Sequence, residues 1–159
     1  MPTRRTFLLG AAALPFLGGG AYALLAPRRL APARVFTEDG LAIRGTDPVA
    51  YFFDRMPVRG DAAVTHDWAG ATWAFATLEN RDRFAADPTR YAPAYGGFCA
   101  WAVAAKGELY STQPRNWAIV DDRLFLNFND AVQETWNEDP AGFIAEGDRR
   151  WPEIVAAVA

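Results

Sequence analysis

Only two side chains in this sequence pair soft-ligand or nucleophilic character with rarity: Cys99, the one cysteine, and His66, the one histidine. Cys99 lies in Tyr95-Gly-Gly-Phe-Cys-Ala-Trp101. Residues 99–107 read as a short helix ending at Gly107, so the thiol would sit near a helix N-terminus. The peptide dipole there favours thiolate, the form that ligates metals and attacks electrophiles. Gly96 and Gly97 would let backbone or ligand approach closely. His66 stands beside Asp67 and would ligate as a neutral imidazole. With a carboxylate such as Asp47, Cys99 and His66 make a mixed S/N/O set that copper or zinc could use. The same thiol and imidazole would make a catalytic dyad if a third group oriented them. Packing supplies the competing account. A cysteine flanked by Phe98 and Trp101 suits a buried apolar filler, and Asp47-Pro48 suits the start of a turn whose carboxylate bonds nearby N–H groups.

Tyr51, Tyr95 and Trp101 are candidates for lining a cofactor or ligand pocket, with the hydroxyls at its rim. Six tryptophans, all after residue 60, would form either an aromatic ligand box or a tryptophan-rich core. No glycine-rich phosphate loop, nucleophile elbow, paired-cysteine motif or HExxH helix occurs. No residue is assigned a catalytic role, and the reading favours a non-enzymatic module.

The elements that must hold these residues follow from pattern. Residues 49–53 (VAYFF) are β-branched and aromatic and read as a strand. Residues 63–76 read as a hairpin turning at Ala69-Gly70. Residues 78–87 read as a helix capped by Thr77 and stopped by Pro88, with Leu78, Phe84 and Ala85 facing inward. Residues 117–120 and 124–128 form a second hairpin around Asp121-Asp122-Arg123. Asn129 caps a further helix, and Pro140 begins a last one carrying Phe143, Ile144 and Trp151. The expectation is an α+β domain: a small antiparallel sheet with several short helices packed on it.

Charge and the N-terminus bound the setting. The chain has 159 residues and a formal charge of −3. Residues 1–33 hold four arginines and no acid, so the remainder carries twelve basic and nineteen acidic side chains. Such an acidic body has no footprint for nucleic acid. Thr3-Arg-Arg-Thr-Phe-Leu8 followed by an uncharged Gly/Ala-rich run resembles a twin-arginine export signal. Small-residue cleavage sites stand at Ala21-Tyr-Ala23 and Ala31-Pro-Ala33. Left uncut, residues 6–27 would be long enough to anchor the chain in a membrane, the one membrane contact expected. The layout is a signal peptide or anchor at 1–33, a linker at 34–40 and one domain at 41–159. Export implies a periplasmic or other extracytoplasmic location, with an envelope protein as a candidate partner.

Three stretches, GTDPVAYF (45–52), ATWAFATLENRDRFAADPTRYAP (71–93) and YGGFCAWAV (95–103), resemble the YHS-domain family, in particular its exported branch. The resemblance runs from about Gly40 to Pro152. It implies a compact α+β module with a metal-associated role. The wider family carries cysteines at three positions that are Ala50, Ala76 and Asn80 here. Alanine offers no donor atom, and an amide oxygen is a poor ligand for soft metals.

Overall fold

The computed structural model describes residues 35–157. The twin-arginine leader, both cleavage sites and the anchor segment lie outside these residues. Among the described residues, no helix is long and apolar enough to cross a membrane.

The first four strands are β1 (Thr37–Glu38), β2 (Leu41–Ala42), β3 (Asp61–Trp68) and β4 (Ala71–Phe75), in the spatial order β1-β2-β4-β3. β3 and β4 form the expected hairpin. Its turn residues, Ala69 and Gly70, both have positive φ, +52° and +78°, as a tight primed turn requires. The sheet is mixed where a wholly antiparallel one was expected. Leu41 of β2 pairs in parallel with Thr72 of β4. The chain leaves β2 through α1 (Ala50–Phe53) and returns by way of β3, which brings β4 alongside β2 in the same direction. The sheet also begins earlier than the expected linker allows. Phe36 is buried, and its backbone bonds Gly96 O and Ile43 N, each at 2.9 Å.

The strand expected at 49–53 is instead α1. Composition favoured a strand, but Asp47 accepts hydrogen bonds from Val49 N and Ala50 N at 2.8 and 3.3 Å. That carboxylate satisfies the donors of a first helical turn, and the local cap outweighs β-propensity. α2 (Leu78–Ala86) starts as expected, with Asn80 N donating to Thr77 Oγ1 at 3.1 Å. Its inward face differs: Asn80 and Phe84 are buried, while Leu78 is 58% exposed and Ala85 is exposed. Pro88 ends α2 and opens α3 (Pro88–Tyr91), with Asp87 as its cap. α4 (Ala100–Lys106) closes at Gly107 with φ +70°. β5 (Trp117–Val120) and β6 (Arg123–Leu126) form the second hairpin, turning through Asp121 and Asp122 at φ +49° and +58°. α5 (Asp130–Glu138) is capped by Asn129 and α6 (Pro140–Ala156) by Asp139.

Two hydrophobic clusters share β6 as a wall. Leu124 and Leu126 enter the first, with Tyr51, Trp73, Phe75 and Phe84. Phe125, pointing the other way as strand alternation demands, enters the second with Tyr95, Val103 and Trp136. Phe143, Ile144 and Trp151 of α6 close over that second cluster.

Candidate functional site

The residues expected to bind a metal do not meet. Among the described residues, no group of three or more His, Cys, Asp or Glu side chains is arranged to hold an ion. Each of Asp47, His66 and Cys99 has a different local occupation.

Asp47 is fully buried. One of its oxygens takes the Val49 and Ala50 N–H groups. The other accepts from Ala76 N at 2.9 Å and Asn80 Nδ2 at 2.8 Å. Four donors therefore satisfy a carboxylate whose burial would otherwise be costly. Ala50, Ala76 and Asn80, up to 30 residues apart in sequence, thus gather around one carboxylate.

Cys99 is fully buried at the start of α4. Its sulfur lies 3.6 Å from Asn127 Oδ1, its N–H donates to Tyr110 O at 3.0 Å, and it bridges to Leu126 of β6. Burial pushes the thiol pKa up, against the downward shift expected from the helix dipole. Desolvation disfavours the thiolate, the form that attacks electrophiles or ligates metals. No hydrogen bond joins it to His66 among the described residues. His66 is half-buried on β3, its ring 6.1 Å from that of Phe84. Trp68, two residues on, also meets Phe84, at 5.8 Å. The two side chains thus share a strand face, as period-two alternation requires.

Of the three pocket candidates, Tyr95 alone reaches a cleft. Tyr51 is buried in the first cluster, its hydroxyl donating to Pro114 O at 2.9 Å and its ring 5.3 Å from Trp117. Trp101 packs on the second cluster, with its backbone N–H donating to Asn127 Oδ1 at 3.1 Å.

The cleft has a volume of about 480 Å³, within the range of small-molecule sites. It runs along the seam between the two clusters. Trp68 and Trp73 form one wall, ring centroids 6.1 Å apart; Tyr95 and Trp151 form the other, 5.8 Å apart. The tryptophans therefore divide: Trp68, Trp73 and Trp151 line the cleft, and Trp101, Trp117 and Trp136 do not. Arg90 and Asp87 from α3 and its cap, and Asp122 and Arg123 from the β5–β6 turn, supply its charge.

Tyr95 is held by an unusual local backbone. Tyr95, Gly96 and Gly97 all have positive φ, at +55°, +61° and +80°. A β-carbon on Gly97 would stand 2.5 Å from Ile43 Cγ2, so the second glycine serves packing of the chain against itself. The Tyr95 hydroxyl lies 3.1 Å from Ile144 O and 3.0 Å from Asp148 Oδ1. Arg123 grips Asp148 in a bidentate pair at 2.7 and 2.9 Å. Burial and the adjacent Asp148 raise the phenol above its ordinary range. The Arg123 contact holds the Asp148 carboxyl below its own. Sequence reasoning missed Arg90, Arg123 and Asp148, because isolated charges on short elements carry no spacing signal.

No family model matches the chain, and no match was found among curated proteins or solved structures.

Proposed function

We propose that this chain is an exported binding module of YHS type that seats a small organic ligand in the aromatic cleft between its two clusters, without covalent chemistry. The cleft itself carries the reading: the half-buried rings of Trp68 and Trp151, backed by buried Trp73 and Tyr95, line one opening of about 480 Å³ edged by charged groups. The resemblance of residues 45–52, 71–93 and 95–103 to YHS-domain proteins supports the family part of the reading. The burial of Cys99 favours binding over thiol chemistry. The twin-arginine pattern at Thr3 to Leu8 supports export, and cell fractionation tests it. Substituting Arg4 and Arg5 by lysine should strand the chain in the cytoplasm, and unchanged export would remove that part of the proposal.

Titration with small aromatic and ionic compounds tests the cleft. Tryptophan emission should change saturably, and Tm should rise as ligand stabilises the folded state by RT ln(1 + [L]/Kd), about 2.7 kcal/mol at a hundredfold excess over Kd. Trp151→Leu should weaken the response. A panel that moves neither signal would defeat the reading.

A further inference from the structure

We infer that the ligand of the cleft is an organic cation: a positively charged nitrogen on a small apolar body. This rests on the cleft being a ligand seat. The half-buried rings of Trp68 and Trp151 line the cleft, and the faces of such rings carry negative quadrupole density and attract cations. The protein already uses that attraction here, since the Arg123 guanidinium stands 6.0 Å from the Tyr95 ring centre.

The charges around the cleft point the same way. Arg123 is held in a bidentate pair by its two bonds to Asp148. Arg90 rests its guanidinium 5.7 Å from the ring of Tyr91, which does not line the cleft. Asp122 is exposed on its turn, and its carboxylate meets no donor among the described residues. Asp87 takes both of its hydrogen bonds, from Thr89 Oγ1 and Arg90 N, on a single oxygen, leaving the other open. Carboxylate capacity at the rim is thus uncommitted on both Asp122 and Asp87, whereas Arg123 is paired with Asp148; Arg90 lines the cleft with no ion pair among the described residues. The body of the chain is strongly acidic, and its field draws cations and repels anions.

Three probes of similar size separate the outcomes: benzyltrimethylammonium, benzyl alcohol and phenylacetate, titrated into the protein at constant ionic strength with tryptophan emission and Tm as readouts. The cation should bind about tenfold more tightly than the neutral alcohol, with phenylacetate weakest. Asp122→Asn should reduce cation affinity about threefold and leave the alcohol unchanged. The turn backbone tolerates asparagine at positive φ, so this variant should fold. Asp61→Asn, at the far end of β3 from Trp68, should change nothing. Phenylacetate binding as tightly as the ammonium would overturn the cation inference while leaving the ligand seat standing. Equal losses in the two aspartate variants would overturn it too, since a diffuse field would then be acting. Silence from all three probes would remove the seat as well.

Discussion

Gly147→Ala places a methyl group where the Tyr95 hydroxyl now sits. Gly147 lies within α6, where glycine costs about 1 kcal/mol relative to alanine. On propensity alone the substitution should stabilise by that amount. The structure reverses the sign. A β-carbon at this position would stand 2.5 Å from the Tyr95 hydroxyl oxygen, 2.7 Å from Cζ and 3.1 Å from Cε2. Tyr95 has little room to retreat, with Phe125 and Trp151 each 5.8 Å from its ring centre. Moving it breaks the contacts to Ile144 O and Asp148. Loss of a hydrogen bond to a charged partner costs about 1.5–3 kcal/mol, and overpacking adds about 1–3 kcal/mol. Against the gain of about 1 kcal/mol, the net is a destabilisation of about 2 kcal/mol or more. Urea denaturation of Gly147→Ala, Tyr95→Phe and the double variant gives the cycle. The closest contact is to the hydroxyl oxygen, so part of the penalty should vanish in the Tyr95→Phe background, a coupling of about 1 kcal/mol. A Gly147→Ala protein as stable as its parent, with no coupling, would refute the packing of α6 on Tyr95.

Asp47→Asn should destabilise by about 2–4 kcal/mol, because an amide cannot accept on both sides and leaves an N–H such as that of Ala76 facing a donor; a loss under about 0.5 kcal/mol in urea denaturation would mean the carboxylate is not the tie described. The Arg123–Asp148 pair sets a pH dependence. The folded carboxyl is depressed by Arg123, so its stabilisation is complete above the ordinary carboxylate range and disappears as pH falls through the lower folded value. The Tm advantage over Asp148→Asn should therefore be present at neutral pH and close in acid, and a pH-independent gap would contradict it. The pair is half-exposed, so about 1 kcal/mol is its ceiling. Cys99 should resist alkylation in the folded state and react only on unfolding; rapid modification under native conditions would contradict its burial.

Local signals in the sequence were read correctly where the chemistry was local. The Thr77 and Asn129 caps, the Gly107 stop and both tight turns depend on neighbours a few residues away, and the structure has them all. The same holds for Asp47-Pro48 as the opening of a turn. The reading failed where a distant partner decided. Ala50 to Phe53 form a helical turn in place of a strand because Asp47, anchored by Ala76 N and Asn80 Nδ2 from a distant segment, holds the Val49 and Ala50 N–H groups. Leu78 lost the inward face of α2 to Asn80, whose partner Asp47 lies 33 residues earlier. Cys99 was expected under a helix dipole, but desolvation by tertiary packing dominates its thiol. The cleft was half legible: tryptophan abundance and Tyr95 were visible, whereas its position depends on how β6 divides two clusters, which no single segment encodes.

The Asp47 tie has a consequence for the timing of folding. All of its partners lie between residues 47 and 80, so they have left the ribosome while the second half of the chain is still being made. It is built from one carboxylate and N–H groups, with no bond that waits on an oxidant and no ion to be loaded. The N-terminal half can therefore acquire its central polar contact during synthesis, before β6 arrives to supply the wall that both clusters share.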